Sequence, residues 1–216
     1  MNPLQDSLPA NPLQVVSDWL ADARDRALTP NSNAMVLGTV AMQKGEILPS
    51  ARVVLCKKLD VTNGYLVFYS NYNSRKGDEL QQIANAAAVF HWDVPGRQAR
   101  VEGIVLRAPD DESDGYFAGR PRESQLSAWA SAQSEPVATR AALSQQMEQA
   151  RQRFAGVDPV PRPPHWGGYH LWATAVELWV EGDNRLHDRA RWIRTVAIDD
   201  NGVAHPDAWT ASRLQP

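Results

Sequence analysis

Between residues 12 and 28, "PLQVVSDWLADARDRAL", the apolar positions Leu13, Val16, Leu20, Ala23 and Ala27 recur at helical spacing, which predicts an amphipathic helix. The pattern then shifts to short strand-like runs: "AMVLGTVA", "ARVVLCKKL", "YLVFYSN", "AAAVFHW" and "RQARVEGIVLRA". Turn signals such as Asn63-Gly64 and Pro95-Gly96 separate them. Residues 109–154 read as helical again, with Leu143, Met147, Ala150 and Phe154 on one stripe. A proline-rich loop, "GVDPVPRPPHWGG", leads into two closing strands, "YHLWATAVELWV" and "RLHDRARWIRTVAI", joined by the turn-like "EGDN". Residues 195–208 have the look of a lengthened hairpin. Short, turn-linked strands without strict strand–helix alternation predict an α+β fold: an antiparallel barrel with helices packed outside. Periodicity leaves barrel and sandwich open. No repeat or low-complexity linker marks a boundary, so residues 1–216 read as one domain, with 1–10 as a flexible extension.

Composition narrows what such a domain does. With 216 residues, 43% hydrophobic and 22% charged, the chain is long enough to bury a core. No run of ~18 apolar residues predicts a membrane span. The start "MNPLQDSLPANPL" lacks a basic segment followed by an apolar one, so no secretory signal is expected. The single cysteine, Cys56, excludes an internal disulfide and fits a reducing, cytoplasmic compartment. No Cys/His cluster shows metal-ligand spacing, and no metal is expected. A net charge of −3 argues against nonspecific nucleic-acid binding. Any bound anion must therefore be held by local clusters of positive charge.

Three stretches supply such clusters. In "SNYNSRKGDELQQIANA", Asn73 or Ser74 can cap a helix that is expected to start near Ser74, placing Arg75 and Lys76 in its first turn. Cations there oppose the helix dipole at a cost of ~0.3–1 kcal/mol each. A phosphate on the free amides would reverse that sign. In "GYFAGRPRESQLSAWASAQS", Tyr116 and Arg120 are four apart, and Pro121 suits a first helical position. Arg120, Arg122 and Ser124 then crowd a second helix start. In "DNRLHDR", Arg185, His187 and Arg189 alternate and would share one face of a strand. Each stretch alone also reads as ordinary capping and surface charge.

Taken in order, "ARVVLCK", "FYSNYNSRK", "RQARVEG", "YFAGRPRESQLSAWASAQS", "WGGY" and "ELWVEGDNRLHDR" resemble the pyridoxamine 5′-phosphate oxidase family. The likeness runs from about Asn11 to the terminal "RLQP", and "RPRESQLSAWAS" and "RLHDR" are its most specific parts. It implies a split-barrel flavoprotein and a homodimer with FMN at the subunit interface. By the resemblance, Arg52, Ser70, Arg75 and Lys76 hold the FMN phosphate and its surroundings. Lys57, Tyr69, Gln98, Gln133, Ser134, Trp179 and Arg189 complete the flavin pocket, some from the partner chain. The substrate phosphate meets Lys57, Tyr116, Arg120 and Ser124, while Arg185 and His187 lie against the pyridine ring as the catalytic pair. The implied reaction oxidises pyridoxamine or pyridoxine 5′-phosphate to pyridoxal 5′-phosphate and reduces oxygen to hydrogen peroxide.

The residues add their own constraints. Arg52 and Lys57 are an odd number apart, so a regular strand points them to opposite faces. Either a bulge intervenes or they reach different parts of one ligand. "WVEGDN" departs from the family's usual "WQGG" type of turn, and the family's basic and aromatic N-terminal arm has no counterpart in "MNPLQDSLPANPL". Two rivals stand beside this reading. One is a dihydrophenazine oxidase on the same scaffold, which the phosphate set Tyr116, Arg120 and Ser124 disfavours. The other is a flavin- or pyridoxal-phosphate-binding module without turnover.

Overall fold

The computed structural model describes residues 4–27 and 30–216. Helix α1 (Pro12–Asp25) begins as the pattern predicts: the Asn11 side chain accepts from the Leu13 amide, and Pro12 occupies the first turn, where its missing N–H costs nothing. Leu13, Val16, Trp19 and Ala23 form its buried stripe. The helix stops at Asp25, short of the expected residue 28. Ala27 has a left-handed φ of 48°, and Leu28 lies outside the described residues.

The strands are β1 (Ala34–Gln43), β2 (Glu46–Leu55), β3 (Lys58–Asp60), β4 (Tyr65–Asn71), β5 (Asn85–Trp92), β6 (Arg97–Arg107), β7 (Trp166–Val180), β8 (Asp188–Ile193), β9 (Val196–Ile198), β10 (Ala204–Pro206) and β11 (Thr210–Leu214). The main sheet is antiparallel, in the order β11-β8-β7-β6-β5-β1-β2, with β4 joining β7 and β3. β9 and β10 form a separate hairpin within residues 195–208. The antiparallel α+β architecture agrees with the sequence pattern. The ladder does not close on itself among the described residues, so this is an open, split form of a barrel.

Strand β7 is the spine. Its first half pairs with β4, its second half with β8, and β6 runs along its other side. A register shift at Glu102/Gly103 bends the β6–β7 pair, as bulges do. Gly103 permits it, because a Cβ there would lie 1.9 Å from the Trp172 carbonyl oxygen. Leu37, Phe68, Phe90, Val101, Leu171, Leu178 and Trp192 bury completely or nearly so inside the curve.

Helix α2 (Arg75–Gln82) follows β4, and α3 (Asp110–Ala118), α4 (Arg122–Ala130) and α5 (Arg140–Arg153) lie between β6 and β7. Pro121 stands one residue before α4 rather than at its first position. Of the α5 stripe, Ala150 and Phe154 bury against Leu126, Met147 packs at their edge, and Leu143 is exposed.

Two expectations change. Residues 4–10 are tied down rather than flexible: Leu4 is buried, its amide donates to Asp188, and the Pro9 carbonyl accepts from Trp192. The second closing strand does not begin at residue 185. Asp183–Arg185 is a single 3-10 turn in which Asn184 and Arg185 take φ of 52° and 65°. Left-handed residues cannot continue a strand, so β8 starts only at Asp188. Arg185, His187 and Arg189 therefore do not share one strand face.

Candidate active site

The β4 strand carries Tyr69, Ser70 and Asn71 to one end of the sheet, opposite Gly168, Gly167 and Trp166 of β7. The two glycines are steric necessities. A Cβ at Gly167 would fall 1.9 Å from the Tyr72 hydroxyl, and one at Gly168 would fall 2.8 Å from Ala108 Cβ. Their bare backbone leaves room for the aromatic residues that wall the site.

A cavity of about 630 Å³ opens there. Lys57, Tyr69, Ser70, Lys76, Tyr116, Arg120, Ser124 and Gln133 all line it, drawn from five separate parts of the chain. Ser74 caps α2 by accepting from the Gly77 amide, which turns Lys76 inward. The buried Lys76 ammonium donates to Ser70 Oγ (2.8 Å), Ser74 Oγ (2.8 Å) and Gln133 Oε1 (2.7 Å). All three acceptors are neutral. Burial, with the nearby Arg52 charge, pulls the Lys76 pKa down to about 8.

Arg120 is the second cation in the wall. Its guanidinium lies 4.5 Å from the Trp166 ring and 5.4 Å from Phe117. Its Nη1 is buried with no hydrogen-bond partner, and burial lowers its pKa. A buried, unpaired guanidinium nitrogen is costly. Arg120 also lines the cavity, where an anion would meet the guanidinium charge.

The remaining predicted residues divide into two groups. Arg52 and Arg75 do not line the cavity. Both bind the buried Glu79 carboxylate, Arg52 Nη2 at 2.9 Å and Arg75 Nε at 2.8 Å. Arg52 also donates to Thr39, Ser50 and the Leu37 carbonyl. Burial works against the Glu79 charge, but hydrogen bonds from Thr39, Ser50, Arg75 and Arg52 outweigh it and hold its pKa at about 2. The parity question for Arg52 and Lys57 has a simple answer: β2 ends at Leu55, and Lys57 lies beyond it with its amide on the Val67 carbonyl. Ser134, at φ 81°, takes the Arg75 amide on its hydroxyl at the start of α2. Arg122 is structural, donating to the Phe154 and Val157 carbonyls.

Gln98, Trp179 and Arg189 are direct cross-strand partners on β6, β7 and β8. The His187 ring packs 4.7 Å from Trp179. The Gly182 amide donates to His187 Nδ1, so the neutral ring carries its proton on Nε2. Arg189 is held by Glu177 at 2.7 Å, and Arg185 is exposed. This cluster is far from the cavity. Gly167, opposite Ser70, and Trp179 are twelve residues apart on β7, roughly 40 Å of strand path at ~3.3 Å per residue. None of the cluster's residues lines the cavity.

Sequence reasoning missed several residues of the wall and of the ion-pair network behind it. Ser127 and Ser131 follow Ser124 at i+3 and i+7 and face the cavity with it, a polar stripe visible from helical period alone. Glu79 stands four residues after Arg75, a spacing that flags an ion pair. Trp166 also lines the cavity, and no periodic signal separated it from core.

Comparison with known proteins bears on this arrangement. The family model described as pyridoxamine 5′-phosphate oxidase matches residues 21–154. A second, described as the pyridoxine 5′-phosphate oxidase C-terminal dimerisation region, matches residues 166–216. A pyridoxine/pyridoxamine 5′-phosphate oxidase from Chromohalobacter salexigens is 44% identical over 98% of this chain and 91% of its own. One from Salinibacter ruber is 42% identical over 98% and 92%. Among solved structures, PhzG from Burkholderia lata, in complex with tetrahydrophenazine-1-carboxylic acid, superposes with a TM-score of 0.83 at 30% identity, covering 100% and 98% of the two chains. An FMN-binding protein related to pyridoxamine 5′-phosphate oxidase from Nostoc punctiforme shares the fold, with a TM-score of 0.69 at 15% identity over 94% and 96%.

Proposed function

The chain belongs to the pyridoxamine 5′-phosphate oxidase family, and on that footing we propose that it is an FMN-dependent oxidase making pyridoxal 5′-phosphate from pyridoxamine or pyridoxine 5′-phosphate. The carrying observation is the pair of cations in one cavity, Lys76 and Arg120, neither of which meets a carboxylate among the described residues. A net-negative protein that lines one cavity with two cations lacking a carboxylate partner is suited to phosphates. The relatives at 42–44% identity carry the oxidase name, whereas the neighbour in complex with tetrahydrophenazine-1-carboxylic acid is 30% identical.

The residues fit FMN. Lys76, Ser70 and Gln133 would hold its phosphate at the start of α2, with Arg52 and Arg75 adding charge behind Glu79 and Ser134 closing the loop. Lys57 and Tyr69 would flank the flavin. Gln98, Trp179 and Arg189 would reach it from the partner protomer of a homodimer, because the length of β7 keeps them from the same chain's cavity. The substrate phosphate would sit on Arg120, Tyr116, Ser124 and Lys57. Bound FMN supplies the acceptor for a hydride equivalent from the substrate's C4′, with oxygen as final oxidant. Arg185 and His187 would orient the pyridine ring. With its proton on Nε2, His187 offers a donor and not a base. Residues 1–216 act as one FMN-binding domain. No helix among the described residues is long and apolar enough to cross a membrane, burial pushes the Cys56 thiol up to about 12 and leaves it unreactive, and the proposed location is the cytoplasm. Neither nucleic acid nor membrane enters this reading.

Oxygen consumption on adding pyridoxamine 5′-phosphate to the FMN-loaded protein is the test. The purified protein is expected to be yellow and dimeric. A protein that gains no visible absorbance with FMN, or binds it without consuming oxygen, sinks the proposal.

Lys76 gives a sharper expectation. Lys76→Met should weaken FMN roughly tenfold or more, since one charge-assisted hydrogen bond is worth ~1.5–3 kcal/mol. Riboflavin, without the phosphate, should change little. Arg75→Ala should matter less, because Arg75 is 64% exposed and already paired. The Lys76 pKa of about 8 means that FMN affinity falls as pH rises through that value and the ammonium loses its proton. Flavin titrations at pH 7 and above 9 should show this fall in the wild type and not in Lys76→Met. Equal losses for FMN and riboflavin would make Lys76 structural.

A further inference from the structure

We infer that Glu112 and His170 are a positioning pair that fixes Tyr69 in the cavity wall and, through its ring, sets Tyr116 for the substrate phosphate. The inference rests on the proposed oxidase function and concerns side chains that lie behind the cavity surface.

Glu112 sits in the first turn of α3. A carboxylate there is already favoured by the helix dipole and by water, so nothing local requires it to turn inward. It nevertheless bridges two strands. Its Oε2 takes the Nε2 proton of His170 on β7 at 2.9 Å, and its Oε1 lies 3.4 Å from the Tyr69 hydroxyl on β4. His170 is itself nearly buried, at 9% side-chain exposure, and stacks on Tyr65 with centroids 4.2 Å apart. That packing leaves the imidazole little freedom. The bland alternative is a buried histidine satisfied by the nearest carboxylate, and it accounts for the His170 contact. It does not account for the second oxygen, which reaches a residue of the cavity wall.

Tyr69 is where the pair meets the site. Its ring stacks on Tyr116 at 3.8 Å and 6°, and lies nearly parallel to Trp166 at 5.4 Å. Trp166 in turn carries the Arg120 guanidinium at 4.5 Å. The ring that Glu112 anchors therefore touches one side chain proposed for the substrate phosphate and neighbours the support of another. Burial, reinforced by Glu112, raises the Tyr69 pKa, so its hydroxyl remains a donor. A long 3.4 Å contact is weak by itself. Its effect is angular: it selects one tilt of a ring whose face is already stacked.

The test is a double-mutant cycle on the FMN-loaded dimer with pyridoxamine 5′-phosphate. Glu112→Ala and Tyr69→Phe should each raise KM about tenfold with kcat within about twofold, and Glu112→Ala should leave FMN affinity unchanged. The double variant should be no worse than either single one, because both remove the same link. His170→Gln retains a donor and should behave as wild type, whereas His170→Leu should match Glu112→Ala. Melting temperatures accompany each variant. If Glu112→Ala fails to fold, Glu112→Gln, of equal size, is used in the cycle with a KM rise of about threefold expected. Additive effects in the double variant, an unchanged KM in Glu112→Ala, or a kcat loss equal to the KM change would overturn the inference. Wild-type protein that consumes no oxygen would instead overturn the function. The same cycle would then be read as binding of pyridoxal 5′-phosphate, by its absorbance, with the same criteria.

Discussion

Replacing Arg120 by alanine is expected to raise KM for pyridoxamine 5′-phosphate roughly a hundredfold while leaving the melting temperature unchanged or slightly higher. The two halves of this result have one cause. In the free protein the half-buried Arg120 guanidinium packs against Trp166 and Phe117, and its buried Nη1 has no partner. That arrangement costs stability, and only the ring faces offset it. When a phosphate enters, the guanidinium, which lines the cavity, gains a charged acceptor in a partly desolvated site. Truncating one member of such a pair typically costs 2–5 kcal/mol, or about 30-fold to several thousandfold. Steady-state kinetics beside thermal melts would check both halves. Pyridoxamine lacking the phosphate should bind no worse to Arg120→Ala than to wild type. An unchanged KM for the phosphorylated substrate would remove Arg120 from the binding set.

Glu79→Ala should cost about 3–5 kcal/mol of folding stability, the range for breaking a buried ion pair by removing one partner. Glu79 is 4% exposed and is the shared acceptor for Arg52, Arg75, Thr39 and Ser50, joining α2 to strands β1 and β2. Without it, Arg52 keeps only neutral acceptors in the same buried place. The pH dependence follows from the depressed pKa of about 2. A depressed carboxyl contributes stability above its unfolded value near 4.5, and that contribution is lost as pH falls toward 2. The wild type's advantage over Glu79→Gln should therefore hold at pH 6 and shrink between about 4.5 and 2. Urea titrations of the two proteins across that range would show it. Equal stability of wild type and Glu79→Ala would mean that the network is ornamental.

Much of the frame was legible from local signals. The Ser74 cap, the Asn63-Gly64 turn and the run "YLVFYSN" report structure within a few residues of themselves, and β4 has the bounds that its apolar run suggests. The stretch "DNRLHDR" was misread for a physical reason. Strict alternation says strand only where φ stays extended, and Asn184 and Arg185 turn left-handed in succession. The packing of residues 4–10 was equally invisible, because the partners of that segment are Asp188, Trp192 and Arg213, nearly the whole chain away.

The sequence by itself determined most of the elements, the order of the motifs and, through them, the family and its chemistry, because each of these is written in neighbouring residues. Which cations are available to a ligand was decided only by the tertiary structure. Arg75 and Lys76 are adjacent in the chain, yet one is neutralised by Glu79 and the other faces the cavity among neutral oxygens. Their charges are alike; their neighbours are not. Electrostatic pairing acts over a few ångströms, and the groups that come that close, Ser70, Gln133 and the strand-borne Arg52, are brought there by β-sheet register and helix packing rather than by spacing along the chain. The same holds for Gln98, Trp179 and Arg189, which three strands align into one row at the far end of β7 from the cavity.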